Sequence, residues 1–578
     1  MKIFVGIFII FAASTAVRAA TKAWWERGNF YQIYPRSFKD SDGDGIGDIN
    51  GIAEKMPYLK EIGMDGVWLS PIFKSPMVDF GYDISNYTDI HYEYGTLADV
   101  DKLIKVCKRL GIKLILDFVP NHTSNQHPWF LKSEANDPYY KDFYVWAPGT
   151  INSETGEREP PSNWNSLFRF TAWQWSEKRQ EYYLHQCLIE QPDLNYRNPN
   201  VVQEMKNVLL FWLDRGIDGF RVDAIPYIFE TQYENGTFPD EPVSGLCSDV
   251  NGTCYLDHIY TKDLEETYNL VYDWHDMLVN YTNQHGGDVR ILMTEAYTTL
   301  EKTVDFYGNP FGRVGSQIPF NFEMINYINV NSTPADYKKE IDAWITNMPK
   351  GTDFVPNWVV GNHDQHRVVN RFGVNRGDAI NMMVQMLPGI AITYYGDEIV
   401  MSDLWIPYNE TVDQLALNMG PDDYWAVDRD PARTPMQWDN TTMAGFSTSK
   451  KTWLPVNPNY QKGVNVKDER LKIGSHLNVF KKLVRMRKNR KVLQDGSTVT
   501  IADNNLLIIK RETETLQLFV ALNFGTEDQD FVINDYFVPL KKLYTASVVS
   551  DNLNIRQGHL IRPTDKIKIP KDAGIVIE

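Results

Sequence analysis

Eight short runs rich in β-branched and aromatic residues, most of them followed by a stretch of helical periodicity, limit how this chain can fold more than any other feature. They lie at 31–38, 66–70, 113–119, 219–224, 291–295, 318–322, 358–361 and 391–395, with amphipathic stretches at 99–110, 201–215, 264–283 and 337–348. A parallel neighbour can be reached only by a crossover long enough to hold a helix, so this alternation predicts a parallel sheet. Eight units suit a closed α/β fold, the (β/α)8 TIM barrel. Chemistry in such a barrel sits on loops leaving the C-terminal ends of strands, which makes the polar residues ending each run the candidates.

Two segments break the alternation. Residues 123–190 are rich in Trp, Tyr, Pro and Asn and too long for an ordinary loop, so they read as an inserted subdomain after strand 3, walling one side of the site. After a helical stretch at 475–490 the period changes to two, which marks a C-terminal antiparallel β domain. The expected division is a signal peptide at 1–20, barrel at 21–122 and 191–494, the insertion at 123–190 and the β domain at 495–578.

Lys2 precedes an apolar run ending in small residues near Ala19 and Ala20, the pattern of a secretory signal; no later segment is long and apolar enough to span a bilayer. A secreted, extracellular protein without a membrane anchor is expected. Sequons at Asn86, Asn235, Asn251, Asn280, Asn331, Asn409 and Asn440 are candidate glycan sites, whereas Asn121 lies in a strand-end motif and is expected to be bare. Cys247 and Cys254, in a stretch rich in Gly, Ser, Asp and Asn, are expected to close a small disulfide loop; Cys107 and Cys187 read as buried thiols. The net charge of −17 opposes binding to nucleic acid or anionic membranes. The segment 40–48, DSDGDGIGD, places Asp40, Asp42, Asp44, the Ile46 carbonyl and Asp48 at alternate positions of a cation loop with Gly45 at the turn, and Gly51 at position twelve excludes an EF-hand.

The runs end in DFVPNH (117–122), GFRVDAI (219–225), MTEAY (293–297) and GNHDQHR (361–367), while QPDLN (191–195) follows the insertion. With YYGDE (394–398) and RDPARTPMQW (429–438), these motifs in order resemble the α-amylase superfamily of glycoside hydrolases from about Trp24 to the C-terminus, and QPDLN points to its oligo-1,6-glucosidase/maltase branch. The signal, sequons and cysteine loop are similar to those of insect-type secreted maltases. The resemblance implies Asp223 as nucleophile, Glu295 as acid/base and Asp364 as a third carboxylate gripping sugar hydroxyls. Retaining hydrolysis needs such a pair about 5 Å apart. Arg221, on the strand face of Asp223, is expected to hold that carboxylate ionised, whereas Glu295, with no cation adjacent in sequence, stays protonated to higher pH.

His122 and His363 are implied to bond hydroxyls of the same glucose. DFGYD (79–83) resembles the branch's non-reducing-end pocket, in which Asp79 would pair with Arg433 and Tyr82 stack on the sugar; such a closure implies exo action. The branch carries a similar acidic loop holding structural Ca2+ or Mg2+, and no organic cofactor is implied. Ala224, where relatives favouring α-1,6 links often carry Val, leans toward α-1,4, and Cys187 stands where many relatives have an aromatic wall. The implied activity is release of terminal glucose from maltose, short maltooligosaccharides and sucrose. A transglucosylase or sucrose-specific glucosidase would differ only in acceptor contacts. A noncatalytic receptor or transporter heavy chain on the same fold would carry a membrane helix and degraded carboxylates, both absent from this sequence.

Overall fold

The computed structural model describes residues 22–232, 238–351 and 354–578. Eight parallel strands, β1 (Asn29–Ile33), β2 (Gly66–Leu69), β3 (Lys113–Phe118), β4 (Gly219–Val222), β5 (Ile291–Thr294), β6 (Ile318–Pro319), β7 (Asn357–Val359) and β8 (Ile390–Tyr394), lie in the order 6-5-4-3-2-1-8-7. The side chain of Asn357 spans the remaining gap: its Oδ1 accepts from Asn321 N at 2.9 Å and its Nδ2 donates to the Pro319 carbonyl at 2.5 Å. A buried amide thus does the work of a strand ladder between β6 and β7.

Two strands depart furthest from their expected spans, each for a local reason. β1 stops at Ile33 because Pro35 opens a short helical turn, Pro35–Phe38, with the fixed φ that suits a first helical position. β6 is two residues long, since Pro319 has no N–H to give a neighbour. The helices begin and end where their chemistry dictates. α1 (Ile49–Ile62) is capped by Asp48, α2 (Leu97–Leu110) by a Thr96–Asp99 capping box, and α3 (Pro199–Arg215) by Asn198 with Pro199 behind it; Gly63, Gly111 and Gly216 end them in the left-handed region.

Between β3 and α3 the chain builds a helix (Pro128–Glu134) and a three-stranded antiparallel sheet of Trp146–Ala147, Trp173–Ser176 and Glu181–Leu184. Its aromatic surplus forms a small core of its own, in which Trp164 and Trp173 stack at 5.6 Å. From Ser497 a six-stranded antiparallel sheet packs on the barrel; Arg511 donates to the carbonyls of Met386, Leu493 and Gly496, and Arg376 pairs with Asp572 at 2.7 Å. Among the described residues no helix is long and apolar enough to cross a membrane.

The register of β3, β4 and β5 fixes the site. Arg221 lies opposite Asp117 and Met293, and Val222 opposite Phe118 and Thr294. The next residues, Asp223 and Glu295, therefore leave adjacent strands at the same height.

Candidate active site

Arg221 and Asp223 are two apart on one strand and point to the same face. The buried guanidinium holds three carboxylates: its Nη1 lies 2.5 Å from Asp223 Oδ1 and 2.9 Å from Asp117 Oδ1, and its Nη2 lies 2.8 Å from Glu295 Oε2. The expectation that Glu295 lacks a nearby cation is therefore wrong. Parallel register brings to it the arginine that sequence distance hid. Arg221 does favour the ionised form of Asp223, as expected, but does not offset the burial around it. Burial raises Asp223 against the opposing pull of Arg221, and it is pushed up to about 7. Glu295, raised by burial and then, against Arg221, by Asp223, is pushed up to about 8. One cation among three buried carboxylates leaves surplus negative charge, and protons bind to relieve it. Both carboxyls are therefore held above the usual carboxylate range, with burial the first cause for each.

Local backbone supports this arrangement. Ala224 sits at φ +46°, a conformation costly for a residue with a Cβ, and its N–H donates to Glu295 Oε2 at 3.0 Å. Oε2 is thus engaged by both Arg221 and Ala224, and Oε1 is the carboxylate oxygen without these contacts. Asp223 Oδ1 is engaged by Arg221, and Oδ2 is left without that contact.

Beyond the carboxylates the pocket ends in a second ionic cluster. Asp79 pairs with Arg429 at 3.2 Å and not with Arg433, as had been expected; Arg433 instead donates from Nε to the His363 carbonyl at 2.8 Å and from Nη2 to Asp364 Oδ1 at 3.1 Å. Both arginines belong to RDPAR and lie one helical turn apart on a 3-10 segment edge, so the motif was right and the partner displaced by four residues. Arg429 also reaches Asp364 at 3.2 Å and is clamped by buried Asp413 at 2.6 Å. Burial costs Asp364 too, but the charge His363 takes up in acid, together with the permanent charges of Arg429 and Arg433, outweighs it and holds the carboxyl below the usual range. Gln191 of QPDLN donates to Asp79 at 3.2 Å.

Tyr82 stacks on His363 at 5.3 Å and shares a 2.7 Å hydrogen bond with its Nε2. Gln32 Nε2 donates to His363 Nδ1 at 2.8 Å, which places the imidazole proton on Nε2, and the Tyr82 hydroxyl donates onward to Asp117 at 3.2 Å. His122 lines the same pocket, but its Nε2–H is directed at the Tyr82 carbonyl, 3.1 Å away. Burial keeps both rings neutral, pushing His122 down to about 4 and His363 to about 3.

These groups surround a cavity of about 320 Å³, whose remaining walls include Phe168 from the insertion, Tyr227, Thr253 and Tyr297, with Cys187 at the place where an aromatic wall was in question. Asp117, Arg429, Asp413 and Phe168 were not anticipated in any role. Asp117 and Arg429 open quoted motifs, a signal that was available. Asp413 and Phe168 lie in irregular loops without one.

In the acidic loop, carboxylate oxygens of Asp40, Asp42 and Asp48 lie within 4.8 Å of one another, whereas Asp44 is outside this trio and accepts from Ile46 N at 2.7 Å. Gly45 is obligatory, at φ +98°, because a Cβ there would stand 2.2 Å from the Lys451 carbonyl. All-oxygen donors of this kind fit a hard divalent cation. Cys247 and Cys254 are disulfide-bonded, and Cys107 and Cys187 are buried and free. Asn251, Asn280, Asn331, Asn409 and Asn440 are exposed, Asn86 is half-buried, Asn121 is buried, and Asn235 lies outside the described residues, as does the signal-like segment 1–20.

The α-amylase catalytic-domain model matches residues 32–496. Maltase A1 of Drosophila melanogaster is 50% identical over 562 residues, covering 96% of each chain. The salivary α-glucosidase of Aedes aegypti is 50% identical over 582 residues, covering 100% of this chain and 98% of its own. Among solved structures, an α-glucosyl transfer enzyme superposes with a TM-score of 0.83 at 29% identity, covering 96% of this chain and 99% of that one.

Proposed function

The chain belongs to the α-amylase family of glycoside hydrolases, and from that premise we propose that it is a retaining, exo-acting α-glucosidase. It is an α-glucosidase by its likeness to maltases and α-glucosidases at about half identity over nearly the whole chain. One observation carries the mechanism: Arg221 holds Asp223 and Glu295 at one height over a pocket whose far end is occupied by the Asp79–Arg429–Asp413 cluster.

Asp223 Oδ2 attacks the anomeric carbon as Glu295 Oε1 gives its proton to the departing glycosidic oxygen. The glucosyl–Asp223 ester then yields to water, whose proton passes to Glu295 as the C1–O bond to Asp223 breaks. Inversion at each step returns the α-anomer. Asp364, ionised between two arginines, accepts from sugar hydroxyls. Polar groups at the far end would match the hydroxyls of one terminal glucose, and the Asp79–Arg429–Asp413 ion pairs would close that end to a second. This favours maltose, short maltooligosaccharides and sucrose over polymer.

The same ester can pass glucose to a sugar hydroxyl, but the transfer enzyme is 29% identical where the maltase is 50%, which favours hydrolysis. Exposed sequons, a disulfide loop and salivary relatives support secretion as a glycoprotein. Asp40, Asp42 and Asp48 would hold a structural Ca2+ or Mg2+ that ties the loop after β1 to the segment around Lys451.

The deciding experiment follows soluble starch and a maltooligosaccharide series by viscosity and product separation. Glucose should be the first product throughout, with starch poor. A viscosity collapse before glucose appears would overturn exo action.

A further inference from the structure

We propose that the disulfide-closed loop from Cys247 to Cys254 is the specificity-determining wall on the leaving-group side of the pocket, acting through the turn of the insertion that it braces. The inference rests on the glucosidase reading and adds where the rest of the substrate lies.

Thr253, within the loop, lines the catalytic cavity and donates from its hydroxyl to the Ser166 carbonyl at 3.0 Å. It is one of several contacts that hold residues 165–170. Phe170 N donates to the Asn251 carbonyl at 2.8 Å, Asn165 Nδ2 donates to the carbonyls of Val250 and Gly252 at 2.9 and 3.2 Å, and Arg169 pairs with Asp249 at 2.6 Å. The braced turn needs such support, because Arg169 and Phe170 are successive non-glycine residues at φ +76° and +66°. It presents Leu167 and Phe168 to the cavity, and the Arg429 guanidinium lies 5.2 Å from the Phe168 ring.

Apart from these hydrogen bonds and its own turn, the loop buries little apolar surface. Val250 is 57% exposed, and Leu246 just before the loop 83%, so the covalent bond stands in for burial that would order a larger segment. A second cavity, of about 770 Å³, adjoins the first: Tyr227, Thr253 and Tyr297 line both, and Leu246 and Lys262 line only the outer one. With glucose in the inner pocket, the leaving sugar emerges past Thr253 into this groove. Its amphipathic walls suit the reducing-end units of a short glucan, with apolar side chains for sugar faces and lysine for hydroxyls. Cleaving the bond should therefore weaken what the enzyme does with the leaving sugars and spare what it does with the terminal glucose.

The test compares wild type with the doubly substituted Cys247→Ser/Cys254→Ser enzyme on α-glucosyl fluoride, maltose and maltotriose. Fluoride is a one-atom leaving group that never reaches the loop. KM for maltose and maltotriose should rise about tenfold, while kcat/KM for the fluoride stays within about twofold. Asp249→Ala, which keeps the disulfide but releases Arg169, should shift the same KM values by about threefold, and it answers the question if the serine variant does not fold. Unchanged KM for both sugars, or a parallel loss on fluoride, overturns the inference while leaving the glucosidase reading intact. Failure of the wild type to hydrolyse the fluoride or maltose overturns both.

Discussion

Two acidic clusters in this molecule solve the same electrostatic problem differently. Around Arg221 the chain gathers Asp117, Asp223 and Glu295 and supplies the cation itself, buried and fixed by strand register. In the loop after β1 it gathers Asp40, Asp42 and Asp48, and among the described residues no lysine or arginine salt bridge reaches them. The protein supplies there only N–H and hydroxyl donors: Gly43 N and Gly45 N to Asp40 at 2.6 and 2.9 Å, Gly51 N and Ser41 Oγ to Asp48 at 2.8 and 2.7 Å. A built-in cation cannot leave, so its surplus carboxylates take up protons and become acids and bases. A cluster without one would need a cation from solution to complete it, and would then serve as a structural clasp. The same residue type is thereby given to chemistry in one place and to architecture in the other.

The most severe way to break this comparison is to remove the chemical carboxylates one at a time. Asp223→Ala and Glu295→Ala should each lower kcat/KM for maltose by about 10³-fold or more, since each deletes a group that bonds or protonates the reacting atoms. Azide separates them. With Glu295→Ala, α-glucosyl fluoride still forms the ester on Asp223, and azide attacks it from the α face to give the α-azide. With Asp223→Ala, azide can enter only from the vacated side and gives the β-azide. The reverse pattern of anomers would exchange the two roles, and near-normal maltose hydrolysis by either variant would return the Arg221 cluster to a structural function.

A smaller effect follows from the shared cation. Asp223 must be ionised, so kcat/KM falls as pH drops through its value, pushed up to about 7; Glu295 must be protonated, so the rate falls as pH rises through its value, pushed up to about 8. The result is a narrow bell near neutrality, whose limbs belong to the cluster and not to either carboxyl alone. Glu295→Gln should abolish the alkaline limb. If that limb persists in the variant, or the wild-type profile is flat from pH 6 to 9 where these values place both limbs, the cluster does not share charge as described.

How much of this was written in the sequence divides along the same line. Periodicity located all eight strands, because each is a local apolar run, and the motifs located Asp223, Glu295 and Asp364, because each ends such a run. Arg221 beside Glu295 was not legible, since the contact arises from the register of β4 against β5 and the two residues are 74 positions apart. Asp79 was assigned to Arg433 when Arg429 holds it, because two arginines four apart on one short helical segment offer the same chemistry and only packing against Asp413 chooses between them. The Asp40 loop was legible as a spacing, but Asp44 leaves the trio to cap Ile46, a local hydrogen bond that alternation along the chain does not reveal.

The gentlest test concerns that loop. Its hydrogen bonds could hold the turn without a metal, for Asp40 and Asp48 each accept from several donors, so occupancy is a matter of whether those dipoles neutralise three close carboxylates. N–H groups contribute partial charge, and Asp42 is exposed and receives only the N–H of Asp44 at 3.2 Å. Full neutralisation therefore calls for a cation, and a ligand that binds only the folded form adds stability in proportion to the logarithm of its excess over Kd. Removing it with EDTA should cost about 2–3 kcal/mol and lower Tm by about 2 °C in a chain of this size, with maltose activity measured immediately afterwards retained. Asp42→Asn, which deletes one charge of the trio and keeps its shape, should give a protein with a lower Tm in Ca2+ and a smaller response to EDTA. If EDTA moves neither the native protein's Tm nor the variant's, and elemental analysis finds no divalent metal, the turn is held by its own hydrogen bonds, and the contrast with the Arg221 cluster reduces to one of burial.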